Sequence, residues 1–121
     1  MLSPNDPKLR SIGIAATVVI AGVIAFLTLA PISGTVMPGS DKLYHALVFA
    51  VLAFPLPVLR PHLALTVFVC VIGYGGFIEF IQPMFGRSAE VADLFADSVG
   101  AAIGVGSGLV LGRVWRHAMM R

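Results

Sequence analysis

Three stretches almost free of acidic and basic side chains constrain this chain more than anything else: residues 11–30, 43–59 with one histidine, and 63–78, extending to 81 through Glu79. An α-helix rises about 1.5 Å per residue, so roughly 20 residues cross about 30 Å of hydrocarbon. A fourth stretch, residues 99–112, reaches that length once the acidic turn before it is included. Four crossings use most of the 121 residues. The expected fold is therefore all-α, one four-helix transmembrane bundle occupying 1–121, with spans at about 11–30, 41–59, 63–82 and 90–112. A hydrophobic fraction of 58%, a charged fraction of 12% and a mean hydropathy of +0.96 exclude an ordinary water-soluble domain. Lys8 and Arg10 before the first run give it the look of a signal peptide, but the run is too long for one and further spans follow. It reads as the first anchor. Cys70 is the only cysteine, so no internal disulfide forms.

Charge sorts the chain by side. With a cytoplasmic N-terminus, Lys8, Arg10, Arg60, Arg113, Arg116 and Arg121 fall inside, and only Lys42 and Arg87 fall outside. This obeys the positive-inside rule and predicts that both termini are cytoplasmic. The same topology collects Asp41, Glu79, Glu90, Asp93 and Asp97 at the outer ends of spans two to four. Against Lys42 and Arg87 they leave an excess of three negative charges, or two with His45 protonated. A divalent cation, a cationic ligand group, water or retained protons must offset part of it.

At about 100° per residue, Glu90, Asp93, Asp97, Gly100 and Gly104 fall within an arc of about 80°, and Gly108 and Gly112 continue at spacing four. Small residues at this spacing let membrane helices approach closely, so the acids above them should point into the bundle. Asp41 and His45 stand one turn apart, within mutual reach. Gly75, Glu79 and Gln82 share a face of the third span, and Pro83 follows where that helix should end. Pro55 and Pro57 should kink or end the second span. The C-terminal RVWRHAMMR reads as an interfacial anchor, with Trp115 at head-group level, and gives no support for nucleic-acid binding.

Taken in order, Asp41-Lys42-x-x-His45, Glu79-x-x-Gln82, Gly86-Arg87 and Asp93-x-x-x-Asp97-x-x-Gly100-x-x-x-Gly104 resemble the VanZ-like family of small bacterial membrane proteins, over about residues 38 to 108. The resemblance implies a multi-pass protein of the bacterial cytoplasmic (inner) membrane, in a family whose namesake is associated with low-level teicoplanin resistance. Where the family pattern often has asparagine, this chain has Asp97, which makes its cluster more acidic.

Three functional classes fit these residues. In the first, a pocket of Lys42, His45, Glu79, Gln82, Arg87, Asp93 and Asp97 binds the head group of a membrane lipid or lipid-linked envelope precursor, the cations on phosphate and the other groups on sugar or amide. In the second, an intramembrane enzyme uses His45, oriented by Asp41, as general base, and a divalent cation held by Glu79, Asp93 and Asp97. The third is a small proton-coupled transporter. Against it, the first span carries no ionisable residue and the cluster sits near one face rather than at the midplane.

Overall fold

The computed structural model describes residues 6–29, 40–85 and 91–119. Its helices are α1 (Pro7–Leu29), α2 (Ser40–Ala53), α3 (Pro55–Leu59), α4 (Ala64–Ile81) and α5 (Val91–Met119), with short 3₁₀ turns at Pro61–Leu63 and Gln82–Phe85. The described residues contain no strand. Four segments are long and apolar enough to cross a membrane: Pro7–Phe26, Lys42–Leu59, Pro61–Met84 and Val91–Met119. The expected all-α, four-span architecture is what forms. The last helix is longer than the sequence reading, because the basic segment up to Met119 joins it.

The prolines divide the second span. Pro55 has no N–H to offer the Val51 carbonyl, and the Phe54 N–H bonds that carbonyl instead, at 3.4 Å. The helix breaks at Phe54, and α3 restarts with Pro55 at its first position, where a missing donor costs nothing. At Arg60 the backbone turns away (φ −140°, ψ 81°) and its N–H bonds the Leu56 carbonyl at 2.7 Å.

The most extensive packing in the bundle joins the second and fourth spans, which run parallel. Gly100 lies on Ala46, Gly104 on Ala50, Gly108 on Phe54 and Gly112 on Val58, two ridges of spacing four in constant register. A Cβ on Gly108 would stand 2.7 Å from the Phe54 carbonyl oxygen, and at the other three positions it would overlap the facing carbonyl more severely. Lipid tails are as apolar as leucine, so close backbone approach and dispersion, rather than a hydrophobic effect, hold such helices together. Phe49, Leu52 and Ala53 pack with Ile24, Val67, Val71, Ile78 and Ala101 to form the buried core. Large apolar side chains such as Phe26, Leu43, Leu65, Phe80 and Phe95 cover the outside, as suits a surface facing acyl chains.

α1 joins the bundle at separated points. Arg60 Nη2 donates to the Asp6 carbonyl at 2.9 Å, and Gly13 sits against Leu56 and Leu59. Farther along, the Tyr74 hydroxyl donates to the Ala21 carbonyl, and Ile24 enters the core. Interhelical hydrogen bonds inside membranes contribute about 0.6 kcal/mol on average and at most about 1.7. Tyr74→Phe should accordingly lower stability by about that amount while leaving the fold intact, which denaturant titration of the purified protein in mixed micelles measures.

The bundle is polar at opposite ends in opposite ways. Asp6 with Arg60, and Arg116 Nη1 donating to the Val58 carbonyl at 2.9 Å, bring Lys8, Arg10, Arg60, Arg113 and Arg116 toward one end. His45, Asp93 and Asp97 lie toward the other.

Candidate polar site at one end of the bundle

Each side chain of the cluster is placed by the ridge below it. Gly100 against Ala46 draws the start of α5 onto the start of α2, so Asp97, one turn before Gly100, meets His45. His45 Nδ1 and Asp97 Oδ1 are 2.7 Å apart, and the pair is 6% and 2% exposed. With the proton on Nδ1 donated to the carboxylate, the other ring nitrogen is left facing Asp93, whose Oδ2 is 3.9 Å from Nε2. Asp93 and Asp97, one turn apart on α5, thus flank the two nitrogens of one imidazole. Phe49 closes the inner side: its ring lies nearly parallel to the imidazole, at 10° and 6.3 Å between centroids.

The third wall is α4. A Cβ at Gly75 would come within 2.8 Å of Asp97 Oδ2 and 3.3 Å of Phe49 Cε1, so only glycine leaves the carboxylate where it is. Because α4 runs antiparallel to α5, this contact sets Glu79, one turn on, level with Asp93. Glu79 is half-buried and Gln82, in the 3₁₀ turn that ends the span, is 2% exposed. Glu79 Oε1, Gln82 Oε1 and Asp93 Oδ1 are all shielded from the surface. Lys42 is half-buried in the first turn of α2, one turn before His45. Gly75→Ala is expected to displace the Asp97 carboxylate, at an overpacking cost of about 1–3 kcal/mol. A changed imidazole nitrogen resonance for His45 by NMR, beside a folded protein, is the outcome that checks it.

The sequence reading assigned Asp41 to orient His45. Among the described residues the imidazole meets Asp97 and, at 3.9 Å, Asp93, both from a different span; the Asp41 side chain lies outside the described residues, as do Arg87 and Glu90. The pairing of the second and fourth spans escaped the sequence reading, although Ala46, Ala50, Phe54 and Val58 repeat at the spacing of the glycines they face. Glu79, Asp93 and Asp97 were the candidate metal ligands. Among the described residues no group of three or more His, Cys, Asp or Glu side chains is arranged to hold a metal ion.

What the arrangement can do follows from its chemistry. An imidazole fixed at Nδ1 by one carboxylate and facing a second can accept or donate a proton at Nε2, or bond a ligand's hydroxyl or amide. Glu79 and Gln82, at the end of the adjoining span, add further polar groups of the same kinds.

No curated protein and no solved structure matches the chain. The family described as VanZ/LLP1 does, over residues 13–112, which reaches into all four spans and takes in the whole described cluster. On that match, with its four apolar helices, this chain is a membrane protein belonging to the VanZ/LLP1 family.

Proposed function

We propose that the protein sits in the bacterial cytoplasmic membrane with both termini inside, and that the polar cluster opens outward to bind the head group of a lipid or lipid-linked envelope precursor. The observation that carries this reading is the burial of His45, Asp93 and Asp97 together at one end of a bundle otherwise built from apolar and small residues. An ionisable side chain at depth in lipid costs on the order of 2.5–3.5 kcal/mol, and such groups mark binding or transfer sites more often than architecture. The basic residues at the opposite end support the orientation. Lys42 and Arg87 are assigned to phosphate, and Glu79, Gln82, Asp93 and His45 to sugar or amide groups. Under this reading the protein serves envelope maintenance or glycopeptide tolerance. Glu79→Gln and Arg87→Ala should each abolish the envelope phenotype, scored as teicoplanin susceptibility and precursor retention, at unchanged protein abundance. Full phenotype in both variants would sink the reading.

A second reading is favoured by the 2.7 Å contact between His45 and Asp97. It makes His45 a general base toward a lipid-linked substrate, held in position by Asp97. Turnover of lipid-linked substrates by purified protein, lost in His45→Gln, separates it from binding alone.

A further inference from the structure

Between the two places where α1 grips the bundle, its wall parts from α4 and leaves a groove of about 250 Å³. Thr17 and Ala21 of α1 form one side, Leu52 and Leu56 the floor, and α4 from Thr66 to Tyr74 the other side. Its mouth lies at Thr66 and Cys70, which are exposed at the membrane-facing surface, and Leu52, Val67 and Val71 at its base are buried. The polar atoms nearby are turned away from it. Thr17 Oγ1 donates back to the Gly13 carbonyl at 2.8 Å, and the Tyr74 hydroxyl is spent on the Ala21 carbonyl. Water entering the groove would find few partners there.

The groove's upper end lies near the polar cluster, with the fully buried Phe49 ring between them. Tyr74, at its upper end, is 6.3 Å from the Phe49 ring, and Phe49 is 6.3 Å from the His45 ring. One aromatic ring thus separates an apolar slot at mid-membrane depth from the buried imidazole at the rim. An amphiphile has this same order of parts: a hydrocarbon chain at depth and a polar group at the surface.

We infer that the groove between α1 and α4 is a binding site for one hydrocarbon chain of the amphiphile whose head group reaches the His45 cluster. The inference rests on the head-group reading above and adds to it where the tail goes. Inside a bilayer the preference for such a slot is not hydrophobic. It comes from dispersion contacts on three sides, which a chain on a convex helix face does not make. The occupant is therefore a flexible saturated or isoprenoid chain, held longer than the surrounding lipid.

The test uses full-length protein in nanodiscs containing phosphatidylglycerol with a diazirine at mid-chain, photolysed and mapped by peptide mass spectrometry. Adducts on the segments 17–21 and 66–74 should exceed those on the exposed Val110 and Leu111 face by about tenfold, the ratio that a preference of about 1.4 kcal/mol produces. Cys70→Trp fills the mouth from an exposed position, so it should fold normally and bring the groove adducts down to the level of the other faces. Equal labelling around all four spans, or groove labelling indifferent to Cys70→Trp, overturns the inference. A parallel series with phosphatidylcholine of the same chain keeps the two readings apart. Groove labelling without head-group preference supports the tail site and counts against the head-group reading alone. Head-group preference without groove labelling overturns the tail site alone.

Discussion

Gly104→Leu should yield no folded, monodisperse protein, while Gly106→Leu, on the opposite face of the same helix, should behave as wild type. A first side-chain carbon at Gly104 already overlaps the Ala50 carbonyl, and a backbone carbonyl in a helix cannot swing aside as a side chain does. At Gly106 nothing lies within 4 Å of the position a Cβ would take. Gly104→Ala is the graded case, with an expected loss of about 1–3 kcal/mol as α5 is pushed off α2. Size-exclusion profiles and thermal aggregation in detergent read all three. Equal behaviour of the leucine variants would mean that the second and fourth spans do not meet through this ridge.

The second large effect belongs to the buried pair. Asp97→Ala removes the partner of a histidine that is itself nine-tenths buried, and breaking a buried pair from one side costs about 3–5 kcal/mol. Asp97→Asn keeps the shape and an acceptor oxygen for Nδ1, so it should retain most of the stability. A double-mutant cycle between Asp97→Ala and His45→Leu should return a coupling of about 1–3 kcal/mol. Coupling near zero would dissolve the pair that organises the site.

The span count and the inward turn of Asp93 and Asp97 were legible because both follow from local regularities. Runs without charge report the solvent, and glycines at spacing four report which face of α5 is pressed against a neighbour. Which neighbour was not legible. Local spacing drew attention to Asp41, one turn from His45 in sequence, but says nothing of Asp97, which reaches the imidazole because Gly100 seats on Ala46. That information lies in the match between two distant ridges. One of them, Ala46-Ala50-Phe54-Val58, contains two large residues and so hides among the apolar positions of its span. The break at Phe54 was readable from Pro55 and Pro57, since a missing donor has the same consequence in any helix. Gly75 was noticed for its smallness, but its role in making room for a carboxylate depends on how α4 crosses α5.

The partnership of α2 with α5 also fixes an order of events during biogenesis. The two helices that touch most closely are separated in the chain by an entire intervening crossing, so their union waits until the ribosome has delivered α5. Until then His45 has no Asp97 beside it, and a nascent chain stopped after α4 carries an imidazole whose buried partner has not yet been made. The polar cluster therefore assembles only once α5 is in place, and a product truncated ahead of α5 becomes a natural target for membrane quality control.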